Sequence, residues 1–316
     1  MPHIKANGLQ LSYETFGDKS KPALLLIMGL GGQLVQWPDA FCEALAKAGY
    51  HVIRYDNRDI GLSDKLDHLG KPDLLRAGLR HTFRLPVKAP YLLDDMAEDA
   101  VGLLDALKIK TAHLVGISMG GMISQIIAAR HPQRVRSLTL IMTSSGNRRL
   151  RQPSLRVQLR LMKRPKQLDR ESLIRFGMDT WRVIGSPGFP STDEELRDKV
   201  ARQIDRNQHP RGFARQLIAI MASGSRVKLL PRIKAPTLIV HGAADPLVPV
   251  PAAHDLKKHI PHAQLEIIPG MGHDLPAALM PKIEHLILHH AKHAERDSAK
   301  RLAKAPKTPS PTRARA

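Results

Sequence analysis

The sequence predicts an α/β fold, a mostly parallel sheet with helices on both faces and a helical insertion late in the chain. Three observations carry this. Apolar runs of strand length alternate with stretches of helical spacing, the pattern of a parallel sheet covered on both faces. The alternation breaks after Thr143 and resumes at Thr237. The stretch 112–130, AHLVGISMGGMISQIIAAR, reads as strand, sharp turn and helix.

The elements follow in order. Asn7-Gly8 before the alternating LQLSYETF (9–16) predicts a hairpin at the edge of the sheet. Residues 23–28 are continuously apolar, as a strand covered on both faces would be, and run into a glycine-rich loop, Gly29, Leu30, Gly31, Gly32. Helical spacing over 37–48 stops at Gly49, and 51–55 is the next strand. DNRDIGLSD (56–64) is a polar turn region, and 94–107 an amphipathic helix with apolar Met96, Val101, Leu103, Leu104 and Leu107. After the Ser118 unit comes a strand at 135–142. Residues 146–229 read as helical and basic, without strand signal. A strand at 237–240, a helix near 252–259, a strand at 264–268 and a helix at 279–290 complete the core. The expected division is a core of 1–145 and 230–294, a helical, basic insertion of 146–229 and a disordered basic tail of 295–316, whose composition offers little to bury.

A chain of 316 residues with 42% apolar and 25% charged residues is long enough to bury a sizeable core. The N-terminus has no apolar signal region, and the longest apolar stretch, 23–30, falls far short of the roughly 20 residues that span a bilayer. The single cysteine, Cys42, cannot form an intrachain disulfide, which fits a reducing compartment, so a cytoplasmic location is expected. Cys42 itself reads as a small buried apolar residue. The net charge of +20 is concentrated: residues 146–229 carry 19 Lys and Arg against 8 Asp and Glu, and residues 291–316 carry 8 against 2. Basicity therefore belongs to an insertion and a tail. The insertion has only Phe176, Trp181, Phe189 and Phe213 as aromatics among many arginines, which argues against specific nucleic-acid binding. Weak association of insertion and tail with anionic surfaces is the expectation that remains.

The chemistry centres on Ser118 in G-x-S-x-G (Gly116, Ser118, Gly120). A serine at a strand-to-helix turn is held in a strained conformation that presents its hydroxyl at a helix N-terminus, where developing negative charge is favoured. Gly-rich turns of this kind also bind phosphate, so context decides, and a serine hydroxyl needs a base and a group to orient that base. Both belong on loops at the carboxyl ends of strands. Asp245 in HGAADPLVP and His273 in PGMGHDLP occupy such positions, giving the chain order Ser118, Asp245, His273 that accompanies a nucleophile elbow. Asp274 is the rival acid, although it would have to fold back on its neighbour. For the oxyanion, the expected donors are the N–H of Met119 and the N–H of Leu30, with Gly31 close behind.

With these residues in hand, the chain resembles the α/β-hydrolase fold superfamily over roughly 3–290, and within it is similar to the aclacinomycin methylesterase-like and carboxylesterase group. The segments that carry the resemblance are IMGLGG (27–32), VIRYDNRDIGLSD (52–64), HLVGISMGGMISQ (113–125), LIVHGAADPLVP (238–249) and PGMGHD (269–274). Met28 departs from the His many members place there, but backbone donors do not require that His. The resemblance implies a helical cap after the sixth strand that roofs the active site, and a structural ion pair between Asp56 and Arg58. The implied activity is serine-dependent hydrolysis of small to medium carboxylic esters through an acyl-enzyme, with no cofactor and no metal. Perhydrolase, enol-lactonase and C–C bond hydrolase share the same triad and stay open. A hydrolase-like ligand receptor is the non-enzymatic alternative, and a missing triad member would favour it.

Overall fold

A computed structural model describes residues 2–163, 165 and 167–304. Eight strands form one sheet: β1 (His3–Ala6), β2 (Leu9–Phe16), β3 (Ala23–Ile27), β4 (His51–Tyr55), β5 (Ala112–Ile117), β6 (Val135–Ile141), β7 (Thr237–Gly242) and β8 (Gln264–Ile268), in the spatial order β1-β2-β4-β3-β5-β6-β7-β8. The first hairpin turns at Asn7-Gly8, both at positive φ, and pairs Ala6 with Leu9. β2 runs antiparallel to β4, and every later pairing is parallel.

Strands β3, β4, β5 and β7 are buried along their whole length; β3 is a continuous apolar run, as a strand covered on both faces would be, whereas β4, β5 and β7 also bury His51, Arg54, His113, Thr237 and His241. On one face the core is closed by α1 (Asp39–Lys47) and α10 (Met280–Lys304). On the other lie α3 (Leu93–Ala106), α4 (Met119–Arg130) and α9 (Pro251–His259). Cys42 packs fully buried in the first of these cores, and burial pushes its thiol up to about 12.

The chain leaves β3 toward β4 on one side and returns to β5 on the other. The order of strands therefore reverses at β3 and β5, and the loops leaving their carboxyl ends open a crevice where such sheets bind ligands. Between β6 and β7 the chain builds four helices, α5 (Leu155–Met162), α6 (Arg170–Ile184), α7 (Asp193–Arg206) and α8 (Pro210–Ser223). α6 and α7 pack on each other through Ile174, Met178, Leu196 and Val200, a small core of their own.

Two expectations need correction. The last helix was expected to end at residue 290, with disorder from 295; it continues to Lys304, while residues 305–316 lie outside the described residues. Ala291 and Ala294 are buried against the sheet, and the Glu295 carboxylate accepts from His113 Nε2 at 3.1 Å, so this turn has something to bury after all. The expected Asp56–Arg58 ion pair does not form. Asp56 pairs with Arg206 at 2.7 Å and accepts the Leu34 and Leu62 N–H groups, whereas Arg58 forms a bidentate pair with Asp99. Both side chains are buried, and each finds its counter-ion on a different neighbouring helix. A helix that the sequence reading did not single out, α2 (Leu74–Thr82), stands between the polar turn region and α3.

Candidate active site

Ser118 sits between β5 and α4 at φ 51° and ψ −116°, a conformation that L side chains rarely adopt. The surroundings enforce it. Its N–H donates to the Ile141 carbonyl at 3.0 Å, and its own carbonyl accepts the Thr143 hydroxyl at 2.6 Å. A Cβ at Gly116 would lie 2.4 Å from the Gly120 carbonyl oxygen, and one at Gly120 would lie 2.0 Å from that of Ile27. Strand and helix approach so closely that only glycine fits on either side of the serine.

Three loops then converge. His273 Nε2 lies 3.1 Å from Ser118 Oγ, and His273 Nδ1 lies 2.8 Å from Asp245 Oδ2. These distances fit the tautomer in which Nδ1–H donates to the carboxylate and Nε2 accepts the serine hydroxyl. Asp245 is fixed in turn: its Oδ1 accepts the N–H groups of Leu247 and Val248 at 2.9 and 2.7 Å. Its side chain is wholly buried and that of His273 nearly so. Asp274, the rival acid, points elsewhere and accepts the hydroxyl of Ser186; burial raises its pKa above the ordinary carboxylate range.

The His273 loop is clamped by the end of α6 and the residues that follow. The N–H of His273 donates to the Ile184 carbonyl at 2.7 Å, Gly272 N–H to Ser186 Oγ at 2.8 Å, and Gly188 N–H to the Gly270 carbonyl at 2.9 Å. Gly272 and Gly270 let these backbones approach: a Cβ at 272 would lie 2.2 Å from the Gly185 carbonyl oxygen. The glycines thus serve contact with the inserted helices as much as the turning of the loop.

On the opposite side, the loop after β3 passes over the serine, where a Cβ at Gly29 would lie 3.2 Å from that of Ser118. Of the two loop amides the sequence nominates, that of Gly31 is committed, donating to Gln216 Oε1 at 2.9 Å. Met119 opens α4, where N–H groups have no intrahelical acceptor. Gln216, fully buried on α8, also donates to the Arg58 carbonyl at 2.8 Å. Beside it Arg215 forms a bidentate pair with Asp59 at 2.7 and 2.8 Å, both wholly buried. Burial alone would raise the Asp59 pKa, but Arg215, the Leu66 N–H and the Tyr91 hydroxyl together hold it below the ordinary range.

Two cavities flank the site. One of about 210 Å³ is lined by Gly31, Gln33 and Ile60 against Ile204, His209 and Phe213. The other, about 170 Å³, lies between Met122, one turn beyond the serine, and Leu247 and Val248 of the Asp245 loop, with Arg148 and Arg151 on its wall. Sequence reasoning found Ser118, Asp245 and His273, and the structure brings the three together. It missed Gln216 and Arg215, which the sequence offers only as polar residues on a helix.

Comparison with known proteins bears on the family and the fold. Residues 22–276 match the alpha/beta hydrolase fold family. Rhodomycin D methylesterase DauP of Streptomyces sp. (strain C5) is 32% identical, covering 92% of this chain and 98% of the relative. 3-Oxoadipate enol-lactonase 2 of Acinetobacter baylyi is 28% identical, covering 84% of this chain and 87% of the relative. Among solved structures, a meta-cleavage product hydrolase from Pseudomonas fluorescens superposes with a TM-score of 0.68 at 21% identity, over 93% of this chain and 98% of its own, a likeness of fold. With a family match over most of its length and a relative above 30% identity, the chain belongs to the alpha/beta hydrolase fold family.

Proposed function

We propose that the protein is a serine hydrolase of carboxylic esters, with Ser118 as nucleophile, His273 as general base and acid, and Asp245 as the group that orients the imidazole. The observation that carries this is the unbroken chain of contacts from Ser118 Oγ to His273 at 3.1 Å and on to Asp245 at 2.8 Å. Ser118 Oγ attacks the ester carbonyl carbon as its proton passes to His273 Nε2. The tetrahedral oxyanion is received by the N–H groups of Met119 and Leu30, Gly31 being engaged by Gln216. His273 returns the proton to the departing alkoxide, leaving acyl-Ser118 and an alcohol. Water, giving its proton to His273, then attacks the acyl carbon, and Ser118 recovers its proton as the acid leaves.

The methylesterase relatives favour a methyl or other small alkyl ester, and the same attack would open an enol-lactone, the substrate named for the Acinetobacter relative. The helices between β6 and β7 serve as the cap that shapes the acyl and alcohol pockets, with the two cavities as those pockets. The basic residues of the cap favour anionic substrates and anionic surfaces. We place the protein in the cytoplasm on the strength of its single, buried cysteine. No described helix is long and apolar enough to cross a membrane.

The test is turnover of a panel of methyl and p-nitrophenyl esters by the wild type and by Ser118→Ala, with fluorophosphonate labelling. The expected result is labelling at Ser118 and a loss of about 10⁴-fold or more in the variant, with unchanged folding. Retained activity in Ser118→Ala, or labelling at another residue, would overturn the mechanism.

A further inference from the structure

Positive charge on the inserted helices is not distributed evenly. On α6 and α7 most arginines are paired: Arg170 with Asp205, Arg182 with Asp179 and Asp193, Arg197 with Glu171, Arg202 with Asp39 and Arg206 with Asp56. Two other segments are different. Residues 74–93 contain four Lys and Arg and no acid, and residues 146–168 contain eight and no acid. Among the described residues, no carboxylate forms an ion pair with Arg76, Arg80, Arg84, Lys88, Arg148, Arg149, Arg151, Arg156 or Lys163.

The same two segments hold most of the large apolar side chains left in solvent. On α2 and its C-cap, Leu75 is 76%, Leu79 53% and Phe83 71% exposed, spaced four apart on one face while Ala77 turns inward. On α5, Leu155 is 70% and Leu159 54% exposed, again four apart, with Val157 buried beneath. The segments are neighbours: His81 near the end of α2 and residues 147, 148 and 150–153 leading into α5 line the same cavity of about 170 Å³ beside the Asp245 loop.

We infer that this face, built from α2 and α5, docks on an anionic lipid surface, with the leucines and Phe83 entering the acyl boundary and the unpaired arginines meeting the headgroups. Exposed Leu and Phe in a setting of Arg, without acids, is the composition of a helix that lies in a membrane interface. Charge complementarity selects the occupant. A second copy of this chain would bring like charges together, and single-stranded nucleic acid would want stacking aromatics where the face offers Phe83 alone. The cavity shared by the two segments lies next to the triad, so docking would set the site over the lipid. The inference is independent of the reaction assigned above, because binding is read without turnover.

The experiment is sedimentation of the full chain with vesicles of phosphatidylcholine, alone or mixed with phosphatidylglycerol. Partitioning is expected only onto the mixed vesicles, and weaker at high salt. The set Leu75→Ser, Leu79→Ser and Phe83→Ser, all exposed positions, should lower partitioning at least tenfold with the melting temperature unchanged. The set Arg148→Gln, Arg149→Gln and Arg151→Gln should do the same. Equal binding to neutral vesicles, no binding, or binding that neither set reduces would overturn the proposal. So would a concentration-dependent dimer that the Leu and Phe substitutions abolish, which would assign the face to a second copy.

Discussion

Gln216, on α8, holds the backbone of Gly31 through a hydrogen bond of 2.9 Å from the Gly31 N–H to its side-chain oxygen. Gly31 neighbours Leu30, the proposed oxyanion donor, so a residue of the inserted helices fixes the loop on which the transition state would rest. Gln216→Leu leaves the Gly31 N–H and the Arg58 carbonyl without their partner, at about 1–3 kcal/mol for each buried orphan. The expected outcome is a fall in kcat of about tenfold or more with a smaller change in KM, together with a lower melting temperature. Gln216→Glu keeps the acceptor for Gly31 and should retain more of kcat than the leucine variant. Equal kcat in wild type and Gln216→Leu would reduce the contact to a structural one.

The continuation of α10 predicts where truncation begins to hurt. Deleting residues 291–316 removes the buried Ala291 and Ala294 and takes Glu295 away from His113. His113, itself buried, also meets Ser137 Oγ through Nδ1 at 2.8 Å, so the cut opens a polar network inside the sheet. A melting temperature lower by several degrees is expected, readable by calorimetry or circular dichroism.

Acid should destabilise the fold through His290. Burial lowers its pKa to about 4, against 6.5 for the free side chain, and its Nε2 lies 3.2 Å from the Pro236 carbonyl. The unfolded chain therefore binds a proton that the folded chain refuses between pH 6.5 and 4. Stability is lost as pH falls through that window, by about 3 kcal/mol at most for a shift of this size. His290→Met should show a shallower decline of melting temperature over the same range. Parallel curves for the two proteins would assign the acid sensitivity to other groups.

The unpaired arginines of the segment before α5 should show in kinetics. Arg148 and Arg151 line the cavity beside the Asp245 loop, whereas Arg160 lies over the Phe176 ring and is spent on packing. Anionic esters should lose kcat/KM as salt rises, the Debye length being about 10 Å at 0.1 M, while neutral esters of equal size should not. Replacing Arg148, Arg149 and Arg151 with Gln should flatten the dependence. Identical salt profiles for both substrate types would remove these residues from substrate choice.

What the sequence disclosed, and what it withheld, follow from how far each signal reaches. The strand, turn and helix around Ser118 were legible because period, glycine spacing and strain are properties of neighbouring residues. Asp245 and His273 were legible because each follows a strand on a short loop. The counter-ion of Asp56 was not, since Arg206 is remote in sequence and nothing local distinguishes it from the other arginines between β6 and β7. The tail was misjudged for a different reason. Residues 291–304, AKHAERDSAKRLAK, are rich in strong helix formers, and propensity joined to an existing helix outweighed a high charge. Gln216 gave no signal, because a buried amide and a solvated one look alike in sequence.

The paired charges between the polar turn region and the inserted helices make the two a single unit of inheritance. Asp56 and Asp59, both without solvent exposure, take their counter-ions from Arg206 on α7 and Arg215 on α8. Grafting the helices of a relative that lacks these arginines onto this sheet would strand two buried carboxylates, each at about 3–5 kcal/mol. A chimera that exchanges residues 56–67 together with 193–216 carries both halves of each pair and avoids that cost. Whatever substrate preference the inserted helices carry is thus transferable only with the loop that holds their counter-ions.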